Sequence, residues 1–342
     1  MKASALGWAL SLAASVSAAS DTNTSSLIVK EAPNFVRPYV LPKYKGKAVK
    51  LTSSGQIIRF SITANSSDGA FSLVQHNGRV TTWTPARPHT HQITHEHFYS
   101  ARGRSELWAK KNVTGAVDKA RPTDPDSQLS HIFHPGGFEH LFELVWSDPA
   151  PFGPLKPGEA ERFATLDLYA IDAVDYVPRR DFVNGTAGDP DTPWHNGNNT
   201  LPDSDTEPYF VARDYGPKFL NSENGYKVIQ PLMTPTQATH GNFTLGTIIM
   251  SEKLDNETAS VATLPHHFAL QMEDGQLVLE LHGYKKAYLL PGDVAFVPAN
   301  TTFKYTATVP FTKFLYMNGG AKGLEYQLLK KSVSWDFPAY PA

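Results

Sequence analysis

The sequence predicts an all-β protein, a sandwich or barrel built from short strands. Three observations lead there. The C-terminal third holds seven short segments of strand composition separated by turn signals. Gly (24) and Pro (26) are frequent among the 342 residues, which suits many tight turns. No long stretch carries a 3.6-residue apolar period and no Gly-rich phosphate loop is present, which argues against a nucleotide-binding α/β fold.

Taken in order, the chain opens with a secretory signal peptide over residues 1–19. Met1-Lys2 is a minimal positive end, Ala3 to Val16 is small and apolar, and Ser17-Ala18-Ala19 offers a cleavage site. Ile57–Thr63, Ala70–Val74 and Ser105–Trp108 read as strands, and Phe138–Trp146 as a strand or a helical turn. From Ser147 the composition shifts to Pro, Gly, Asp and Asn, so residues 151–207 read as an inter-domain connection carrying one element around Phe163–Ile171. The seven later strands are Thr244–Met250, Phe268–Met272, Gln276–Leu281, Ala287–Leu290, Val294–Val297, Thr302–Thr308 and Lys313–Met317. Asp274-Gly275 and Pro291-Gly292-Asp293 supply turns between them. Two domains follow, 20–150 and 208–342.

Composition narrows the function. A net charge of −2 with 19% charged residues lacks the basic excess of a nucleic-acid binder. No apolar run is long enough to span a bilayer. Cysteine is absent, so any metal must be held by His and carboxylates. Eight Asn-x-Ser/Thr sequons, at Asn23, Asn65, Asn112, Asn184, Asn198, Asn242, Asn256 and Asn300, predict a secreted glycoprotein.

The segment that carries chemistry is Pro88-His89-Thr90-His91-Gln92-Ile93-Thr94-His95-Glu96-His97-Phe98-Tyr99. On a strand, residues two apart share a face, so His89 and His91 can aim two imidazoles at one point. Glu96 can add a carboxylate. Such a nitrogen and oxygen set suits Cu, Fe, Ni, Mn or Zn without choosing among them. His95 and His97 form a second pair of the same spacing. If the strand stays regular through residue 97, all four histidines share one face.

The spacing His-x-His-(x)4-Glu-(x)6-Gly, closed by Gly103, resembles the first motif of the cupins. The string from His89 to Tyr99, with Glu106-Leu107-Trp108-Ala109, resembles the fungal quercetin 2,3-dioxygenase family of bicupins. So do Val36-Arg37-Pro38-Tyr39-Val40, Pro135-Gly136-Gly137-Phe138-Glu139, Gly216-Pro217-Lys218-Phe219 and Pro291–Pro298. The resemblance implies two jelly-roll barrels and a secreted enzyme, a homodimer, that binds copper in its N-terminal cupin. It implies a reaction that opens the central ring of flavonols with dioxygen and releases carbon monoxide. It selects His89, His91 and Glu96 as metal ligands, and gives Glu96 a second role as acceptor of the flavonol 3-hydroxyl proton. Phe98, Leu129, Phe133, Phe138 and Phe142 match the family's apolar substrate lining.

The chain departs from the family in one place. Between Trp108 and Asp124 there is neither a Pro-Gly-Asp turn nor the His that supplies the fourth ligand. About one strand–turn–strand unit is missing compared with the second cupin, so the N-terminal barrel is expected to be incomplete. Either the chain is a true variant, or a short coding segment is absent from the translated sequence. His134, beside Pro135, is the choice for a substitute ligand. The second cupin, with His266-His267 and Phe303 at its motif positions, is expected to be metal-free. Two functions remain open: a metal-dependent flavonol dioxygenase, or a catalytically impaired bicupin that binds flavonoids or saccharides.

Overall fold

The computed structural model describes residues 25–51, 56–78, 89–103, 105–108, 119–122, 127–145, 157–170, 199–206 and 209–341. The signal peptide and the sequons at Asn23, Asn112, Asn184 and Asn198 lie outside these residues, as does most of the segment between Trp108 and Asp124.

The first part of the chain contributes β1 (Tyr39–Leu41), β2 (Ala48–Leu51), β3 (Gln56–Ile62), α1 (Ala64–Ser67), β4 (Ser72–Gly78), β5 (His89–Thr90), β6 (His95–Arg102), β7 (Ser105–Trp108), β8 (Lys119–Pro122) and β9 (Ser127–His134). Then come α2 (His140–Val145), α3 (Glu159–Ala164) and β10 (Tyr169–Ala170). The second part contributes β11 (Phe219–Asn221), β12 (Lys227–Met233), β13 (Thr244–Met250), β14 (Ser260–Thr263), β15 (Phe268–Asp274), β16 (Leu277–Leu281), β17 (Ala287–Leu289), β18 (Val294–Val297), β19 (Thr302–Ala307), β20 (Thr312–Asn318), α4 (Leu324–Leu329) and β21 (Ser332–Ser334).

All seven strands read from the C-terminal third are present, within one or two residues of their expected ends. Within Phe138–Trp146 the described residues form a helix, α2 (His140–Val145). The described part of the element expected around Phe163–Ile171 holds the end of a short helix, α3, followed by the two-residue strand β10.

Three large sheets stack in layers. A four-stranded sheet, β14-β19-β16-β17, faces an eight-stranded sheet, β1-β18-β15-β20-β13-β12-β11-β21; the other face of that sheet meets a five-stranded sheet, β2-β3-β4-β9-β6. Between the first two layers lies a core that includes Ile248, Met250, Leu270, Leu279, Phe303, Phe314 and Tyr316. Between the eight- and five-stranded sheets lies a second core, in which Ile62, Leu73 and Ile132 pack against Leu245, Phe296, Leu315 and Met317. The far face of the five-stranded sheet buries Ile58, Phe60, Val74 and Phe133 against Phe138, Leu141 and Phe142 of the α2 region, with Phe163, Leu166 and Leu168 alongside.

This layering explains the sequence pattern. Strands β13, β18 and β20 are buried at every position, so they read as apolar runs rather than as alternating strands. Strand β1 comes from the N-terminal part of the chain but pairs antiparallel with β18, Tyr39 opposite Phe296. Polar contacts also tie the layers. Arg59 donates to the carbonyls of Pro42, Lys45 and Gly292, and Ser130 Oγ donates to Gln271 Oε1 at 2.8 Å.

The turn after β9 is fixed by sterics. A Cβ at Gly136 would sit 2.9 Å from the Phe71 carbonyl carbon, so only glycine fits there. Glu139 is fully buried. One of its carboxylate oxygens accepts the Ala64 N–H and the other the Gly137 N–H, each at 2.7 Å, which locks α1 and the turn together. The turn returns the chain over the sheet and carries Phe138 onto its far face.

Glu325 opens α4 and is buried, with Asn318 Nδ2 donating to its carboxylate at 2.6 Å. Burial pushes its pKa up to about 7, against the pull of its hydrogen bonds to Thr244, the local backbone and Asn318. The unfolded carboxyl releases its proton near 4.5 and the folded one near 7, so this group's stabilising contribution is complete below 4.5 and falls as pH rises to 7. Glu325→Gln should therefore leave the stability unchanged near pH 4.5 and raise it above pH 7, by about 3 kcal/mol as an order of magnitude. Denaturant unfolding of both proteins at pH 4.5 and 8 measures this; an equal difference at both values would refute it.

Candidate metal centre

The site lies on the far face of the five-stranded sheet, away from the eight-stranded one. Strand β6 places Glu96 and Phe98 on that face. His95, His97 and Tyr99 take the opposite face, where His97 stacks on Phe243 at 5.7 Å between ring centroids and Tyr99 donates to Glu273. The four histidines therefore do not share a face. Strand β5 ends at Thr90, and residues 91–94 bend before β6 begins, which breaks the two-residue period.

The bend has an identifiable cause. Asp167, just after α3, accepts the backbone N–H of Gln92 at 2.9 Å, Ile93 at 2.9 Å and Thr94 at 2.6 Å. Burial alone would raise the Asp167 pKa, but these backbone donors outweigh it and hold the carboxyl below its ordinary value. The Asp167 carbonyl also faces His91 Nδ1 at 2.8 Å. A carbonyl only accepts, so His91 carries its proton on Nδ1 and turns the Nε2 lone pair toward Glu96. On the other side, Ala170 of β10 pairs with His89.

These supports bring the three expected residues together. The Nε2 atoms of His89 and His91 lie 3.7 and 3.5 Å from Glu96 Oε2. One donor atom from each of the three lies within 4.8 Å of the others, and among the described residues this is the one such group. The three side chains are less than one tenth exposed. Burial alone would push the Glu96 carboxyl up; with a proton on the nitrogens that face it, the two imidazoles outweigh burial and hold it well below the usual carboxylate range.

His91 Nε2 and Glu96 Oε2 are buried and have no hydrogen-bond partner. Such orphaned acceptors each cost about 1–3 kcal/mol in a folded protein. A cation held between them would satisfy both. Two imidazole nitrogens and a carboxylate oxygen, without sulfur, form a donor set that fits a first-row transition metal.

The expected substrate-lining residues cluster around the same point. The Phe138 ring meets His91 edge-on at 4.6 Å and stacks over His89 at 6.5 Å. Phe133 packs on Phe138 at 4.8 Å and Phe142 lies 6.1 Å from Phe138. Phe98 contacts His131 at 4.8 Å, and Leu129, two residues from His131 on β9, is buried on the same face.

His134 is not brought to the site. It stands at the end of β9 on the opposite face, its Nδ1 directed at the Ala70 carbonyl at 3.1 Å and its ring stacked on Phe243 at 4.8 Å. Its separation from His131 by three residues reverses its side of the sheet. The histidine that does reach the site is His131, whose Nδ1 lies 3.8 Å from Glu96 Oε1. Its signal in the sequence was the pair His131-x-x-His134, readable once β9 is placed, because only one of the two can share the face of Phe133.

In the second part of the chain, Phe303 fills the core and stacks on Phe268 at 5.3 Å, and His267 Nδ1 accepts the Ala299 N–H at 3.0 Å.

The Asp167 clamp gives a local prediction. Asp167→Ala should accelerate hydrogen exchange of the Gln92, Ile93 and Thr94 amides by at least about tenfold, the loss of about 1.4 kcal/mol of protection. Exchange in β13 and β20 should not change. Amide exchange by mass spectrometry measures this, and unchanged protection at 92–94 would refute the clamp.

No family model matches the chain. Among solved structures, an oxalate decarboxylase from Bacillus subtilis is 11% identical with a TM-score of 0.48, covering 85% of this chain and 78% of that one. An oxalate decarboxylase from Lactobacillus farciminis is 9% identical with a TM-score of 0.46, covering 89% and 90%. Among curated proteins, a quercetin 2,3-dioxygenase from Aspergillus japonicus is 34% identical over 353 residues, covering 94% of this chain and 99% of the relative. With that identity over nearly the whole of both chains, and an all-β fold that sets two imidazoles and a carboxylate together, the chain belongs to the quercetin 2,3-dioxygenase family.

Proposed function

We propose that the protein is a metal-dependent dioxygenase that opens the heterocyclic ring of flavonols such as quercetin with O2 and releases carbon monoxide. The observation that carries this reading is the convergence of His89, His91 and Glu96 within 4.8 Å of one another in a member of this family. These three residues would hold the metal, for which copper is our choice. Bound there, it would supply a Lewis acid and a redox centre next to the substrate.

The chain's own residues have separable tasks. Asp167 holds the loop that carries His91 and fixes the tautomer of that ring. Glu96, ionised in its buried setting, can accept the proton of the flavonol 3-hydroxyl. Phe98, Phe133, Phe138 and Phe142, with Leu129, offer an apolar wall against which flat aromatic rings can pack while water is kept from the reacting carbons. In the same reading the protein is secreted and glycosylated. The sequon residues Asn65, Asn242, Asn256 and Asn300 are all exposed, as glycan attachment requires.

The test is oxygen uptake and carbon monoxide release with quercetin after copper loading of the purified chain. Turnover is expected. His89→Ala should abolish it, and Glu96→Gln should lower kcat by about 100-fold or more through loss of the proton acceptor. The missing motif between Trp108 and Asp124 favours a second reading, an impaired bicupin that binds flavonoids without consuming oxygen. Quercetin binding with no oxygen consumption in the copper-loaded protein, unchanged in His89→Ala, would select it and reject the dioxygenase.

A further inference from the structure

The Glu96 carboxylate is shared between two sets of nitrogens. Its Oε2 faces His89 and His91, while its Oε1 lies 3.8 Å from His131 Nδ1. His131 stands on β9, which pairs with β6 so that His131 is directly opposite Phe98 and diagonal to Glu96. All of these side chains project to the far face of the sheet. The region from 105 to 126, where the family's fourth ligand would be sought, contains no histidine.

His131 is buried, and neither of its ring nitrogens has a hydrogen-bond partner. Its surroundings explain why. The rings of Phe98, Phe133 and Phe142 pack around it at 4.8, 6.3 and 6.1 Å, and none offers a polar atom. The adjacent His76, 5.5 Å away, is itself occupied, its Nε2 lying 3.0 Å from Gln56 Oε1. Two unpartnered nitrogens in an aromatic enclosure are costly unless something else binds them. The group within reach is the metal centre next to Glu96.

We propose that His131 is the fourth protein ligand of the metal, taking from a different strand the place left by the absent motif histidine. This rests on His89, His91 and Glu96 being the metal site. It would make the donor set three nitrogens and one carboxylate, with His131 on the Oε1 side of Glu96 and the His-x-His pair on the Oε2 side. The missing segment then removes a strand–turn–strand unit without reducing the number of protein donors. His131 lies outside the group whose donor atoms stand within 4.8 Å of one another, so ligation from β9 would require its ring to move toward the His-x-His pair.

The experiment is copper binding by the full chain, read by metal content, by competition with a chelator, and by electron paramagnetic resonance. The wild type should retain one Cu(II) and show hyperfine structure from three nitrogens. His131→Ala and the bulkier His131→Phe, both checked for native circular dichroism, should show two nitrogens and bind copper at least about 100-fold more weakly, exceeding the loss typical of a supporting residue. His134→Ala should match the wild type in both readouts. Three nitrogens and unchanged affinity in both His131 variants would overturn the assignment while leaving the metal site intact. A wild type that retains no copper, or a His89→Ala variant that binds it as well as the wild type, would overturn the metal site and this assignment with it.

Discussion

Strand β6 packs side chains on both of its faces, and the site depends on the register this imposes. Its odd-numbered residues, His95, His97 and Tyr99, pack toward the eight-stranded sheet, and Glu96 and Phe98 point away from it. A slip of one residue would exchange the two sets, moving Glu96 into the inter-sheet core and a histidine into its place. The pairing of β6 with β9 fixes the same register from the side, and β9 is itself buried at seven of its eight positions. The large second half of the protein thus sets the position of a carboxylate in the first half, although it contributes no residue to the donor set.

The second requirement is that the chain leave β5 and enter β6 with a change of face. A continuous strand from His89 to His97 would put His89, His91, His95 and His97 together and send Glu96 away from all of them. Asp167 prevents this by collecting three successive amides into one bend. The residue belongs to the one element expected within a stretch whose composition otherwise suggests a connection. Its left-handed backbone, φ of 61°, and its place just after α3 let the side chain and the carbonyl act on the same loop at once. One residue therefore fixes both the bend and the tautomer of His91, and the two cannot be varied independently.

What could be read in the sequence follows from what is local. The strands of the C-terminal third are bounded by turns such as Pro291-Gly292-Asp293, where the Asp293 carboxylate accepts the N–H of Leu290 at 2.9 Å, so their ends are marked in the chain. His89, His91 and Glu96 were legible because their spacing is short. Strand β9 was not, because Ser127-Gln128-Leu129-Ser130-His131-Ile132-Phe133-His134 is half polar, and its polar residues are buried through distant partners such as Gln271. With β9 unplaced, the choice between His131 and His134 had no physical basis, and proximity to the Pro-Gly-Gly turn pointed to the wrong one. Asp167 was hidden for the same reason: its partners are more than seventy residues away.

A site of this kind also works against its own fold. The unpartnered atoms of His91, Glu96 and His131 beneath the aromatic cover oppose folding in the absence of a cation. The protein tolerates them because the cores on either side of the eight-stranded sheet do not involve the site. Metal binding would add stability in the far face alone, where Phe133, Phe138 and Phe142 close over the ligands. Local order at the site and occupancy of the metal are then coupled, while the rest of the molecule stays folded whether or not the centre is filled. That separation leaves the placement of the donors to β9 and the Asp167 bend.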